Sequence, residues 1–166
     1  MRKFEVVKRL ADDDTVILPQ RSTKQSAGYD FYAIEDCVIP SLTKNALSAL
    51  ALGFSYHIKD IKPTIVKLGI KAKMEKDDVL KIYNRSSNAI KKNLILVNGV
   101  GIIDADYYNN PDNDGEIMVA FYNLGTADYT IKKGDKVVQG IFEKFLVVDD
   151  DNATGERTSG IGSTGN

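Results

Sequence analysis

The sequence has no tryptophan, one cysteine and one histidine among its 166 residues. A single thiol cannot form a disulfide within the chain, which favours a reducing, cytoplasmic setting, or the host cytoplasm for a viral protein. His57 and Cys37 are too few for a zinc site, and any Ser-His-Asp triad would have to use His57. Cys37 stands beside Val38 and Ile39 and is predicted to be a small apolar filler.

A strong net charge and long apolar runs are also missing. The chain has 22 basic and 23 acidic residues, a formal net charge of -1, whereas nucleic-acid binding usually shows as a basic excess. We therefore expect no direct nucleic-acid partner. No stretch approaches the roughly 20 apolar residues that span a bilayer, and "MRKFEVVKRLADDD" does not resemble a signal peptide, so no membrane association is expected.

What the sequence does have is short strand-like segments separated by turns. In "LGIKAKM", Leu68, Ile70, Ala72 and Met74 alternate with Gly69, Lys71 and Lys73, which predicts one buried and one exposed face. The segments "VLKIY", "NLILVN", "EIMVAFYN" and "VVQGIFEKFLVV" are rich in β-branched and aromatic residues. Turn-like pieces such as "NNPDNDG" and "KKGDK" separate them, so we predict an all-β, antiparallel sandwich or barrel.

Two segments depart from this strand pattern. Within Ser41 to Asp60, "NALSALAL" could form one or two helical turns, capped by Ser41 or Asn45 and ended by Gly53, although a β-ribbon is also open. The chain ends in "RTSGIGSTGN", preceded by the acidic "DDDNATGE". We predict one domain over residues 1–150 and a flexible linker with a glycine-rich end over 151–166.

Candidate chemistry is concentrated in five short segments. They are "AGYDFYA" (27–33), "YNRSSN" (83–88), "NGVGIIDADYYN" (98–109), "KKGDKVVQG" (132–140) and the terminal "RTSGIGSTGN" (157–166). Asp104 is the most notable single residue, because it follows the apolar "GII" and its partly desolvated carboxylate could act as a base. A strand-end aspartate satisfied by backbone N–H groups is the alternative.

In this order and spacing, the five segments resemble the motifs of the trimeric dUTPase (deoxyuridine triphosphate pyrophosphatase) family, of a phage or Gram-positive type. The resemblance implies a jelly-roll-like distorted β-barrel and a homotrimer with sites shared between subunits. It also implies Mg²⁺-dependent hydrolysis of dUTP to dUMP and pyrophosphate, which keeps uracil out of DNA and supplies dUMP for dTMP synthesis. The glycine-rich end would then be a mobile lid over the nucleotide.

The resemblance also implies a role for individual residues. Asp104 would be the general base that activates water for attack at the α-phosphate. Asn98 would recognise uracil with backbone groups of Gly101, Ile102 and Ile103, the ring of Tyr107 would pack on the deoxyribose, and Ile161 would cover the base. The phosphate-binding residues would be Arg85, Ser86, Ser87, Gln139, Arg157, Gly162, Ser163 and Thr164. Asp30 would lie near the metal and contact Mg²⁺ through water.

The sequence departs from the family pattern in places. Ile161 stands where most members have phenylalanine, which predicts weaker binding because stacking on a base contributes roughly 1–3 kcal/mol. Asn84 replaces a usual glycine, and residues 41–62 form an insertion of about twenty residues that could be a tolerated surface segment or bind a protein partner. Two alternative functions stay open: a dCTP deaminase-related enzyme, and a nucleotide-gated regulatory protein that uses the insertion.

Overall fold

The computed structural model describes residues 1–54, 61–155 and 157. The strands in these residues are β1 Lys3–Val6, β2 Gln20–Arg21, β3 Tyr29–Tyr32, β4 Cys37–Ile39, β5 Thr64–Lys67, β6 Ile70–Lys73, β7 Asp78–Asn84, β8 Leu94–Leu96, β9 Val100–Asp104, β10 Met118–Asn123, β11 Tyr129–Ile131 and β12 Lys136–Lys144. The helices are α1 Leu42–Ala51 and α2 Ser86–Lys92, with single 3₁₀ turns at Lys8–Leu10 and Ala105–Tyr107.

All pairings between the described strands are antiparallel, so the all-β prediction is confirmed, with two short helices added. The largest sheet has the order β2-β3-β12-β7-β9, and a three-stranded sheet has the order β5-β10-β8. Two strand pairs, β1-β6 and β4-β11, complete the architecture. None of the helices in the described residues is long and apolar enough to cross a bilayer.

One apolar core lies between these sheets. Strand β10 shows the period-two pattern that builds it, because Val119, Phe121 and Asn123 point inward and the residues between them are more exposed. Phe31 and Leu80 from the five-stranded sheet are also completely buried. They pack so close to Gly140 that a Cβ there would lie 2.7 Å from the Phe31 ring. Cys37 packs against this core as predicted, and burial raises the pKa of its thiol.

The insertion begins with a helix, so the helical alternative for this segment is confirmed. Ser41 caps α1, since its Oγ accepts a hydrogen bond from the Lys44 N–H at 2.9 Å. Gly53 follows the helix with a φ of 76°, a left-handed conformation that suits glycine. α1 spans nearly three turns rather than one or two, and several large apolar side chains in and after it are exposed: Leu47, Leu50, Leu52 and Phe54.

Two details of the strand prediction are wrong, and one helix was not predicted. Lys71 is only 4% exposed, although the alternation of "LGIKAKM" placed it on the exposed face. Strand β12 ends at Lys144, and Phe145 to Val148 are exposed and outside any strand. The segment after Arg85 is the helix α2, which ends at Asn93 with a φ of 53°, and this helix was not predicted.

The buried amide of Asn123 offers a test of how the strand just before the insertion and the turn after β10 are attached to the core. Asn123 Nδ2 donates to the carbonyls of Ile39 and Ala127, and Oδ1 accepts from Gly125 N. Because Asn123→Ala leaves these backbone groups unpaired, we expect the free energy of unfolding to fall by about 3 kcal/mol. The exposed Asn45→Ala should change it by less than about 0.5 kcal/mol.

Urea unfolding at matched protein concentration measures both values. Equal stability of the Asn123→Ala variant and the unchanged protein would contradict this account of the attachment.

Candidate active site

Four side chains from three parts of the chain form a compact polar group that we call the Asp30 cluster: Ser22, Asp30, Arg85 and Lys136. Asp30 Oδ2 accepts from Lys136 Nζ at 2.6 Å and from Ser22 Oγ at 2.7 Å. Asp30 Oδ1 lies 3.3 Å from Arg85 Nε, and Arg85 also donates to the Lys136 carbonyl at 3.1 Å. The arginine proposed for phosphate binding is therefore held on two sides.

The electrostatics of the Asp30 cluster favour the ionised carboxylate. Burial of Asp30 opposes ionisation, but hydrogen bonds from Lys136 and Ser22 and the charge of Arg85 outweigh it. The pKa of the Asp30 carboxyl is therefore held below its ordinary value. Both carboxylate oxygens are occupied by cations or donors, and within the described residues no three His, Cys, Asp or Glu side chains are grouped to hold a metal ion.

Gln139 lies beside the Asp30 cluster because strand β12 pairs with β3 and β7. Gln139 is opposite Asp30 on one side and opposite Tyr83 on the other. Its amide nitrogen donates to the Asn84 carbonyl at 3.4 Å, and a Cβ at position 28 would lie 2.6 Å from Gln139 Oε1. Glycine at position 28 thus leaves the space that the Gln139 side chain uses. Ser86 and Ser87 follow directly at the start of α2.

Strand β9 and the turn before it bring the residues expected at the base and sugar into one segment. Asn98 is exposed in the turn, where Gly99 has a φ of 66°. A Cβ at Gly101 would lie 3.2 Å from Ile82 Cβ and 3.6 Å from Asn98 Nδ2, so this strand passes close to both. Of the two isoleucines that follow, Ile102 is 54% exposed and Ile103 packs partly against the core.

Asp104 ends β9 and is bound by an arginine from the end of the chain. Arg157 NH2 lies 2.5 Å from Asp104 Oδ2, and Arg157 Nε lies 2.9 Å from Asp106 Oδ1. The guanidinium carbon is 5.7 Å from the ring centroid of Tyr107, which is a cation–π contact. The Asp104 side chain is 49% exposed, so it is accessible to water, whereas the Arg157 side chain is mostly buried.

The structure separates Asp104 from the residues that were predicted to bind phosphate, Arg85 and Gln139 among them. In β7, Val79 is opposite Asp104 of β9, whereas Asn84 is opposite Val138 of β12. Five residues along a strand correspond to about 17 Å at about 3.3 Å per residue. Arg85, Gln139 and Asp30 therefore lie at one end of the five-stranded sheet, and Asp104, with Arg157, lies at the other.

Several residues of the candidate site were not assigned by the sequence analysis, and some predicted residues lie outside the described part of the chain. Ser22 joins the Asp30 cluster through a contact that no motif signalled, whereas Asp106 stands inside the third segment and Lys136 inside the fourth, where both could have been noticed. The predicted residues outside the described part of the chain are His57, Ile161, Gly162, Ser163 and Thr164.

Comparison with known proteins gives consistent matches. The family model for dUTPase matches residues 50–165. A deoxyuridine 5'-triphosphate nucleotidohydrolase of Lactococcus lactis is 42% identical, over 99% of this chain and 98% of that protein. The Saccharomyces cerevisiae protein of the same name is 32% identical, over 90% of this chain and 87% of its own length.

Solved structures agree with these sequence relatives. The crystal structure of a dUTPase from Streptococcus mutans matches with a TM-score of 0.70 and 36% identity, and covers 88% of this chain and 98% of its own. A mutant dUTPase from phage phi11 of S. aureus, described with a coordinated structural Mg(II) ion, matches with a TM-score of 0.65 over 93% of this chain and 97% of its own. At 15% identity, that second likeness shows the fold alone.

The lowered pKa of Asp30 can be measured directly. In a ¹³C NMR titration, the Asp30 carboxyl should titrate below the ordinary value of about 3.9, because Lys136, Ser22 and Arg85 stabilise the ionised form. Its contribution to stability should be complete above pH 3.9 and disappear as the pH falls through the lowered pKa. Lys136→Met should raise the midpoint, and an unshifted midpoint in the unchanged protein would contradict the cluster.

Proposed function

Since the chain belongs to the dUTPase family and is a dUTP diphosphatase that hydrolyses dUTP to dUMP, we propose which of its residues carry out the reaction. Asp104 is the general base. Water is a weak nucleophile at phosphorus, so a carboxylate that accepts its proton during in-line attack at the α-phosphate lowers the barrier. The half-exposed position of Asp104 beside a guanidinium supports this role, because water and a negatively charged substrate can both approach it.

The phosphates are bound by Arg85, Ser86, Ser87 and Gln139. The Asp30 cluster supports this proposal, because Asp30 and the Lys136 carbonyl fix the Arg85 guanidinium before substrate arrives. Preorganised donors lose less conformational entropy when they bind an anion. Arginine also suits phosphate oxygens, since its planar fork can donate two parallel hydrogen bonds.

The base and the sugar are recognised along β9 and the turn before it. Asn98 offers both a donor and an acceptor to the edge of uracil, and the backbone of Gly101, Ile102 and Ile103 completes that edge. Tyr107 is 7% exposed, and both of its hydroxyl contacts are made inside the protein, which supports a rigid ring against the deoxyribose. Ile161, with Gly162, Ser163 and Thr164, stays the predicted lid over the nucleotide.

Arg157 exchanges partners during the cycle. In the chain alone its guanidinium binds Asp104 and Asp106. A bound triphosphate carries more negative charge than the carboxylates of Asp104 and Asp106 together. We therefore propose that Arg157 moves to the γ-phosphate and leaves Asp104 free to accept a proton. This exchange would couple activation of the base to arrival of the complete substrate.

The active site is shared between subunits of a homotrimer. Two observations support this part of the proposal. The separation of about 17 Å between Asp104 and the phosphate-side residues cannot be closed within one chain without breaking the register of β7. The outer face of the three-stranded sheet also exposes Ile65, Ile95 and Val97, an apolar surface suited to burial between copies.

Magnesium is proposed to arrive with the triphosphate, because Mg²⁺ prefers phosphate oxygens and retained waters to an all-protein cage. Bound there, it would neutralise phosphate charge. The contact of Asp30 with Mg²⁺ through water stays a prediction. Both carboxylate oxygens of Asp30 already bind Lys136, Ser22 or Arg85, so a metal-bound water would have to share them with these side chains.

A protein partner for the insertion and a cytoplasmic location are predictions that do not depend on the catalytic residues. The exposed Leu47, Leu50 and Phe54 support a protein partner at residues 41–62, which would add a regulatory role to the enzyme. A cytoplasmic location also stays a prediction. For the dCTP deaminase alternative, we found no glutamate in the 98–109 segment to serve as its acid and base.

The role of Asp104 is tested by its isosteric amide. We expect Asp104→Asn to lower kcat for dUTP by about 10³-fold, while dUTP binding changes little, because the amide cannot accept a proton. The matched control is Asp106→Asn, which also removes a carboxylate from Arg157 and should retain most of the turnover. Pyrophosphate release from dUTP, with dCTP, dTTP and UTP in parallel, measures both variants.

Unimpaired hydrolysis by Asp104→Asn would exclude this base. Ammonia release from dCTP by the unchanged protein would instead favour the deaminase alternative.

Sharing of sites is tested by mixing two inactive chains. Asp104→Asn and Arg85→Gln chains with different affinity tags are co-expressed, and mixed oligomers are purified through both tags in turn. Where a site takes Arg85 from one chain and Asp104 from another, every mixed trimer that carries both tags has about one third of its sites with both residues intact. We expect a comparable fraction of the unchanged activity, while each parent alone stays inactive.

Mixed oligomers without activity above the parents would show that both residues act within one chain.

A further inference from the structure

Lys71 is a buried cation that has no part in the proposed reaction. It lies in β6 between Ile70 and Ala72, directly opposite Glu5 of β1, and is only 4% exposed. A buried ammonium is unfavourable unless it is paired and hydrogen-bonded. The partners of Lys71 therefore indicate what the protein uses this charge for.

These partners all belong to the loop that follows Asp104. Lys71 Nζ donates to Asn109 Oδ1 at 2.6 Å and lies 2.9 and 3.0 Å from the two carboxylate oxygens of Asp114. It is also 5.1 Å from the ring centroid of Tyr108. We call Lys71, Asn109 and Asp114 the Lys71 clamp, since one ammonium joins the two ends of the loop.

The charge state of Asp114 fits this arrangement. Burial opposes its ionisation, but the Lys8 N–H and the Lys71 ammonium more than compensate, so the pKa of Asp114 is held below its ordinary value. The backbone of the loop is also tightly constrained. Asn109 and Asp114 both have a φ of 60°, and Gly115 has a φ of 77°. A Cβ at Gly115 would lie 2.4 Å from the Tyr107 carbonyl oxygen.

The closed loop fixes the hydroxyl of Tyr107. Asn113 Nδ2 donates to Tyr107 Oη at 2.6 Å, and the Tyr107 hydroxyl donates to the Glu116 carbonyl at 3.0 Å. Both partners lie within or next to the segment that the Lys71 clamp closes. Movement of this loop would therefore move the Tyr107 ring.

We propose that Lys71 is a positioning residue that determines how strongly the enzyme discriminates dUTP from UTP. The proposal rests on the proposed function, in which the Tyr107 ring packs against the deoxyribose. Such a ring excludes a 2′-hydroxyl only while it cannot retreat, because selectivity of this kind depends on a steric clash with the wrong substrate. The Lys71 clamp lies outside the substrate pocket and prevents the Tyr107 ring from moving away from the sugar.

The test compares kcat/KM for dUTP and for UTP in Lys71→Met, which keeps the apolar stem and removes the charge. We expect the dUTP/UTP ratio to fall at least about tenfold, because a displacement of about 1 Å at a positioning residue can change rates by up to about 10²-fold. The matched control is Lys144→Met, which also removes a paired lysine, in this case from Asp77 and Asp78. It should leave the ratio unchanged.

A second variant guards against loss of folding. Asn109→Gly removes one contact of Lys71, and glycine adopts the φ of 60° without strain. It should lower the dUTP/UTP ratio in the same direction by a smaller factor. A purely structural role would lower both kcat/KM values in parallel and leave the ratio intact.

The outcomes separate the two proposals. If the unchanged enzyme does not discriminate against UTP, or if Tyr107→Ala keeps the discrimination, the role of Tyr107 is wrong and this inference fails with it. If Tyr107→Ala loses the discrimination while folded Lys71→Met or Asn109→Gly keeps it, the Lys71 clamp alone is overturned.

Discussion

Strand β7 pairs with β12 on one side and with β9 on the other, and this double pairing determines where each group of the site can lie. An antiparallel register cannot shift by one residue without turning every inward side chain of the strand outward. Leu80 and Ile82 are completely buried, so the register of β7 is fixed by the core itself. The distance from Asp104 to the Asp30 cluster is therefore a property of the fold, and it is the reason for our proposal that assembly with another copy brings the two groups to one substrate.

Within this frame, each half of the site holds an arginine against carboxylates. Arg85 binds Asp30, and Arg157 binds Asp104 and Asp106. Both guanidinium groups are thus paired with carboxylates, and under the proposed function a phosphate that binds either arginine would replace one set of charged partners with another. The two arginines differ in their partners, since Arg85 also donates to the backbone carbonyl of Lys136, whereas both hydrogen-bond partners of Arg157 are side chains of half-exposed aspartates. We infer that Arg85 is a fixed part of the phosphate site, whereas Arg157 is the arginine that can move.

Local patterns predicted the parts of this structure that depend on neighbouring residues. Period-two alternation identified the strands, and the Ser41 cap predicted α1, because both signals lie within a few positions. Contacts between distant segments left no such signal: Lys71 and Asp114 are 43 residues apart, so alternation alone assigned Lys71 to the solvent. The five motifs identified Asp104, Arg85 and Gln139 together, yet motif order contains no information about which end of a sheet each residue occupies. Phe145 to Val148 have the composition of a strand, but they continue past the last residue with which β12 can pair.

The loop after Asp104 is supported in large part by the β1–β6 pair and the residues around it. Glu5 accepts a hydrogen bond from the Tyr108 hydroxyl at 2.5 Å, Lys8 N donates to Asp114 at 2.7 Å, and Arg9 donates to the Glu116 carboxylate. These N-terminal residues lie outside all five motifs. Asp104, the proposed general base, is therefore placed by the five-stranded sheet, whereas the loop that we propose to contact the sugar has further support from the N-terminal residues. If Tyr107 contacts the deoxyribose as we propose, substitutions of Glu5, Lys8 or Arg9 should alter substrate selectivity while the register that places Asp104 stays intact.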